Sequence, residues 1–308
     1  MTEPNSPRPD TTVLRDFAVA RNTVTGSSVR MISRQPTAAD RNPGRHTRKR
    51  KIIERTLGIA FPVVLITLWQ IASVRGWIDR RFYPAPSDIV AEMRATFRNN
   101  PKKNWWIDIG VSVRRMLWGY FWGVLLGLLF GFLLGMSRLL RATIGPTLNA
   151  LYTVPKLALI GIFLIILGFD EKPIIAVVAV TVFFFVWIQT ESAVVYVPEG
   201  FREAARSFNA NRWQMFRHVI LPSALPSIFV GLRVAAGVAV LTLIGSEFVF
   251  APGNQGIGYR INNARQILDP KQAYVGLVVA ALLGVLFIAI IRMLGRLLTP
   301  WAPKDSVG

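Results

Sequence analysis

Residues able to do covalent or redox chemistry are scarce in this chain. There is no Cys, and the two His, His46 and His218, stand far apart. Disulfides and thiolate metal or redox sites are therefore excluded, and almost no material is left for a histidine metal cluster. No Gly-x-x-x-x-Gly-Lys-Ser/Thr run occurs, so the chain has no P-loop of its own. Clustered His, Cys or acidic residues at the ends of apolar runs, which a membrane-embedded enzyme would need, are missing. Two kinds of feature remain. One is a set of charges inside apolar runs: Lys156, Arg233 and Glu247. The other is the segment from Glu203 to Pro222.

That segment reads as two short helices. Pro198 opens the first, which runs from about Glu199 to Phe208. Asn209 is expected to break it, because Asn tolerates the left-handed region better than other non-Gly residues. The second runs from about Arg212 to Ile220 and is expected to stop at Leu221-Pro222, since Pro cannot continue the ladder. Trp213, Phe216 and Ile220 fall on one face of it. A helix–turn–helix of this kind suits docking into a groove of a partner protein.

Charges within spans are candidate functional groups. Lys156 follows Pro155 and has two readings: attraction of an anionic solute along a pathway, or satisfaction of carbonyls that Pro155 frees. Arg233 lies near enough to one face to snorkel. Glu247 is a second pathway candidate, and is equally placed to pair with an Arg of the adjoining loops.

The elements that must carry these residues are set by composition. The chain has 308 residues, 52% hydrophobic and 17% charged, with mean hydropathy +0.40 and a formal net charge of +19. A disordered chain or a basic nucleic-acid binder would not hold this much apolar residue. A span needs about 20 apolar residues, and six segments qualify: about 56–74, 116–136, 147–169, 173–190, 226–250 and 273–291. The result is an all-α membrane protein with six transmembrane helices. Residues 1–55, with Arg45–Lys51 the densest basic run, read as a disordered basic tail. The tail is too long and polar for the leading region of a signal peptide, so the first apolar segment is expected to stay in the chain. Residues 301–308 form a short C-terminal tail. The 86–100 segment reads as an amphipathic helix, with Ser87 or Asp88 as its cap. The second span carries Gly119, Gly123, Gly127, Gly131 and Gly135, an every-fourth-residue ridge for close packing. Trp105, Trp106, Trp118 and Trp122 suit an interfacial belt that Trp77 and Tyr83 extend.

Placing the N-terminus inside puts 22 Lys/Arg in inner segments and 13 in outer ones. The bias favours cytoplasmic N and C termini. The tail decides it, because the first outer connection is itself basic.

The spacing Glu203-Ala204-Ala205, Asn209, Val219, Leu221-Pro222 resembles the Glu-Ala-Ala loop of permeases of binding-protein-dependent ABC importers. There the pattern is Glu-Ala-Ala, three residues, Gly, nine residues, Ile, one residue, Leu-Pro. Asn209 stands where the family has Gly, and Val219 where it has Ile. The resemblance covers about residues 56–300 and is nearest to the sulfonate/nitrate/taurine branch. Tyr83-Pro84-Ala85-Pro86, Val154-Pro155-Lys156-Leu157-Ala158-Leu159, Leu225-Pro226 with Gly231-Leu232-Arg233, and Glu247 with Gly256-Ile257-Gly258-Tyr259 carry it. Gly161-Ile162 departs from the Pro-Leu common in relatives.

The resemblance implies a type I importer permease fold in a bacterial cytoplasmic membrane. It implies a non-catalytic subunit without a cofactor, with ATP bound by a separate ABC ATP-binding subunit. The other implied partners are an extracytoplasmic solute-binding protein, a second permease copy and the lipid bilayer, but no nucleic acid. The loop 198–222 would couple ATPase motion to alternating access: Glu203, with Ala204 and Ala205, bracing the ATPase groove, Asn209 setting the turn, Trp213 and Phe216 filling the groove, Leu221 and Pro222 ending the loop. The solute would be small and anionic. The alternative is an ion-coupled secondary transporter without an ATPase, which would need intramembrane acids near the midplane; Glu247 is its main support.

Overall fold

The computed structural model describes residues 43–99 and 105–302. It comprises two units, Met1–Leu65 and Ile66–Gly308. Among the described residues there are helices and turns but no strand.

Helix α1 runs Pro43–Val74 and crosses from the first unit into the second. Its apolar window is Thr56–Val74, the expected first span. The helix begins earlier than expected, at Pro43 within the basic tail. Lys and Arg are good helix formers, and extending an existing helix adds one bond per residue fixed without a new nucleus. The rest of the expected tail, residues 1–42, and residues 303–308 lie outside the described residues.

In the second unit, α2 is Pro86–Asn99, α3 Trp105–Met136, α4 Arg138–Tyr152, α5 Leu159–Leu167 and α6 Lys172–Val195. Then come α7 Glu199–Ser207, α8 Arg212–Gln214, α9 Leu221–Val249, α10 Ile257–Gln266 and α11 Pro270–Leu298. α6 packs between α3 and α9, and α11 packs on α9. Their core holds Met116 and Tyr120 of α3, Val178 and Val182 of α6, Ala236 and Leu243 of α9, and Phe287 of α11. α2 lays Ile89, Met93 and Phe97 against Trp105, Ile261 and Val275. Neither Ser87 nor Asp88 acts as its side-chain cap. Ser87 exchanges hydrogen bonds with the Gln70 side chain, and Asp88 pairs with Arg80 at 2.8 Å.

The glycine ridge explains the α3–α6 contact. Gly119, Gly123, Gly127, Gly131 and Gly135 face Val178, Val182, Val186, Thr190 and Val194 in turn, so the two helices run parallel in a fixed register. A Cβ on Gly119 or Gly127 would lie 2.7 Å from the facing valine Cβ. In lipid, such close backbone approach supplies the dispersion contact that holds helices together.

Two expected spans differ. The third is not one helix over 147–169. α4 and the 3₁₀–α segment Lys156–Leu167 are bent by 77° at Thr153–Pro155, and they pass as a single span only together. Pro155 has no N–H for the Leu151 carbonyl and disfavours helical backbone at Val154. The chain closes instead with Val154 N–H to Leu151 O and Thr153 N–H to Ala150 O, both 3.2 Å.

The fifth helix does not start afresh after Leu221-Pro222. One continuous run, Arg212–Val249, joins α8, a π-helical segment Met215–Ile220 and α9. In the π register the Leu221 N–H donates to Phe216 O. The ladder is thus already shifted by one residue where Pro222 enters the first turn of α9, a position that does not need its N–H. Pro226 then deprives the Pro222 carbonyl of its i+4 donor, and the Trp301 indole N–H takes it at 3.2 Å. The remaining spans lengthen at their ends: Trp105–Met136, Lys172–Val195 and Pro270–Leu298.

Candidate functional site

The loop between α6 and α9 is built tightly for a loop. Pro198 precedes α7, and Arg202 on α7 reaches back to donate to Val194 O at 2.6 Å, near the last turn of α6. α7 ends in a Schellman motif: Ala210 N–H bonds Ala205 O at 3.0 Å and Asn209 N–H bonds Arg206 O at 2.8 Å. Asn209 sits at φ 55°, the left-handed turn expected of it. Asn211 then caps α8 through a capping box, accepting from Gln214 N–H while the Gln214 side chain accepts from Asn211 N–H, both 2.8 Å. The Asn-x-x-Gln spacing carried that signal, and sequence reasoning passed over it.

Glu203 and Ala204 are exposed on α7, and Ala205 is half-buried at the turn. Among the described residues no ion pair engages the Glu203 carboxylate, whereas Arg206 pairs with Glu199 at 3.1 Å. Trp213 is exposed. Phe216 turns inward, half-buried and edge-on to Phe132 with ring centroids 5.4 Å apart, in the cluster around Val194, Ile220 and Ala224. The helix holding Trp213 and Phe216 continues into the membrane, so its inner stripe is claimed by the bundle. Phe208, which sequence reasoning did not select, is 87% exposed beside Asn209. An apolar residue at the tip of a capped turn was its signal. Phe201, Ala204, Phe208, Gln214 and His218 border an open groove of about 530 Å³ between α7 and the π segment. Leu221 and Pro222 are half-buried at the start of α9.

Glu247 lies elsewhere. It is buried and receives Arg115 Nη1 at 2.9 Å, the Ser112 hydroxyl at 2.8 and 2.9 Å, and the Gly258 N–H at 3.0 Å. Its arginine comes from α3 itself rather than from a loop. Asp108, Ser112 and Arg115 occupy one face of α3 at spacings of four and three. Asp108 accepts from Gly256 N–H at 2.8 Å and from Arg260 at 2.7 Å, and Ser112 accepts from Ile257 N–H at 2.9 Å. Arg115 also donates to the Gln255 and Pro252 carbonyls and to Glu171. The set clamps the 250–258 connection onto α3. Sequence reasoning missed this triad because Asp108, Ser112 and Arg115 precede the apolar window it drew for the second span.

Lys156 sits at the break in the third span. Its ammonium donates to the Tyr152 carbonyl and lies over the Tyr152 and Phe184 rings, 4.4 and 5.0 Å from their centroids. It thus satisfies a carbonyl that the break leaves without an i+4 donor. Lys156, Glu247 and the loop are three separate places. Among the described residues no group of three or more His, Cys, Asp or Glu could hold a metal.

This all-helical chain has known relatives. The family described as "Binding-protein-dependent transport system inner membrane component" matches residues 123–302. The putative aliphatic sulfonates transport permease protein SsuC of Escherichia coli is 38% identical over 242 residues, covering 79% of this chain and 90% of that protein. The taurine transport system permease protein TauC of the same organism is 30% identical, covering 80% and 90%. The nitrate import permease protein NrtB of Synechococcus elongatus is 28% identical, covering 77% and 87%. In fold, the chain is similar to a chain of the MetNI methionine ABC transporter in an inward-facing crystal form, with TM-score 0.54 at 22% identity over 66% of this chain and 99% of that one. With the family's pattern matched over more than half its length, the chain belongs to the binding-protein-dependent inner membrane components, the multi-pass inner-membrane permeases of bacterial ABC importers.

Proposed function

We propose that this permease passes a small anionic solute of the sulfonate, taurine or nitrate type, and that the loop 198–222 couples it to a separate ATP-binding subunit. The observation that carries the coupling is continuity. The capped turn at Asn209–Asn211 leads through Arg212–Gln214 and the π segment into α9 without a break. A force on α7 therefore reaches a membrane helix through hydrogen-bonded backbone. Arg202 offers a second route, into α6. Glu203, Phe208 and Trp213 are the exposed side chains that would meet the ATPase; Phe216 holds the loop to the bundle. The relatives' names supply the solute class. A solute-binding protein would deliver it, a second copy of the permease would complete the pathway, and both termini would lie in the cytoplasm.

The ion-coupled alternative draws no support from the charged groups: Glu247 is engaged by Arg115 and Ser112, and Lys156 by Tyr152. Co-purification tests the coupling. Glu203→Ala and Asn209→Pro should remain in the membrane fraction and retain less ATP-binding subunit. Retention at wild-type level by both variants would refute docking through this loop. A cysteine placed at Ser207 should resist a membrane-impermeant label in intact cells; reaction would reverse the topology.

A further inference from the structure

The connection between α1 and α3 is strongly basic, with seven Lys/Arg between Arg75 and Lys103, and the permease reading gives Arg75 and Arg81 at its start no role. Its first nine residues form a fixed turn. Just past the end of α1, Gly76 sits at φ 74°, with Trp77 N–H bonded to Ala72 O at 3.0 Å. Asp79 organises the residues after it. Its carbonyl accepts from Phe82 and Tyr83 N–H at 3.1 and 2.9 Å, and its carboxylate accepts from Arg81 N–H at 2.8 Å. The hydroxyl of buried Ser73 then donates to Tyr83 O at 3.1 Å. The far end of the turn is tied to the last helical turn of the span it leaves.

This backbone holds its large side chains outward. Trp77, Phe82 and Tyr83 are all more than half exposed. The Arg75 guanidinium lies 5.8 Å from the Trp77 ring centroid. Arg80 is taken by Asp88, and Asp79 is taken by the turn's own backbone. Arg75 and Arg81 are exposed and have no ion pair among the described residues.

Height decides what meets this patch. The span ends at Val74, and the Ser73–Tyr83 bond keeps the turn level with that end. The patch therefore lies at the hydrocarbon–headgroup boundary, where Trp and Tyr are favoured. A protein docking from solvent would need a surface that stands clear of the bilayer. Two unpaired guanidiniums at headgroup depth suit phosphate oxygens, which Arg binds with two parallel donors.

We propose that Arg75–Tyr83 is a binding site for the phosphate headgroup of an anionic phospholipid. Arg75 and Arg81 contact the phosphate, while Trp77, Phe82 and Tyr83 seat in the glycerol–acyl boundary. Arg75 and Arg81 of the basic connection are then lipid ligands.

Native mass spectrometry of delipidated protein titrated with phosphatidylglycerol or phosphatidylcholine tests the site. Wild type should retain phosphatidylglycerol preferentially. Arg75→Gln with Arg81→Gln should lower that affinity about fivefold for each arginine removed, with phosphatidylcholine retention and melting temperature unchanged. Arg81→Lys should keep part of the preference. Undiminished phosphatidylglycerol affinity in the double variant overturns the proposal. So does an equal loss in Arg94→Gln with Arg98→Gln on α2, which would mean diffuse charge. So does loss of solute-binding-protein association with lipid affinity intact, which would assign the patch to a protein.

Discussion

Arg115 of α3 and Glu247 of α9 meet at 2.9 Å with neither side chain open to its surroundings. A buried pair of this kind adds little net stability over apolar residues, but removing one partner strands the other. Arg115→Met should therefore cost about 3–5 kcal/mol, read as a lowered unfolding midpoint in detergent. Arg115→Met combined with Glu247→Gln should cost clearly less than the two single changes added. Additive losses would show that the two groups act independently.

The pair also marks where sequence reasoning reaches and where it stops. Apolar length alone located five spans, because about 20 apolar residues admit few other structures. It could not grade prolines. Pro155 breaks its helix, Pro222 is absorbed by a π segment, and Pro226 stays inside α9 with Trp301 supplying the lost donor. The residue is the same each time; the difference is which distant group or ladder shift satisfies the freed carbonyl. Asn209 was legible because its constraint is local, a left-handed backbone at a fixed spacing. Phe216 was not, since the stripe Trp213, Phe216, Ile220 reads the same whether it faces a partner or the bundle.

The glycine ridge predicts opposite effects for one substitution at two places on α3. A Cβ on Gly123 would come 2.6 Å from both Val182 Cβ and the Ala179 carbonyl, while one on Gly110 meets nothing within 4 Å. Gly123→Ala should lose about 1–3 kcal/mol to overpacking despite its helix propensity. Gly110→Ala should be neutral or gain up to about 1 kcal/mol. Thermal unfolding of the two variants under one condition checks this, and equal midpoints would remove the ridge from the account of α3–α6 packing.

Trp301 closes the carbonyl that Pro226 leaves open at Pro222. Trp301→Phe keeps a ring and removes the donor, so about 1 kcal/mol of stability should be lost. Pro226→Ala would restore a backbone N–H at that position, and Trp301→Phe should then cost less. A double-mutant cycle on melting midpoints measures the difference. An unchanged cost in the Pro226→Ala background would mean that the indole acts through its other contacts.

Asn209 holds φ 55° between two caps, and each replacement tests a different part of that geometry. Glycine adopts this backbone without a Cβ penalty, so Asn209→Gly should retain the ATP-binding subunit at least as well as wild type. Asn209→Val places a β-branched side chain in the left-handed region, at a cost of about 1–2 kcal/mol. Because about 1.4 kcal/mol is tenfold in an equilibrium constant, co-purification should fall by about an order of magnitude if the turn must be intact to dock. Pro is more severe: it cannot reach positive φ, and it deletes the N–H that bonds Arg206 O at 2.8 Å. The capping box at Asn211 lies on the far side of the turn and keeps α8 started in every variant, so α9 should stay folded and melting midpoints should fall by no more than the strain of the turn itself. The expected order of ATPase retention is therefore Gly, Asn, Val, Pro, with the membrane helices folded throughout. Equal retention across the series would separate docking from the turn, leaving the exposed side chains Glu203, Phe208 and Trp213 to carry it alone.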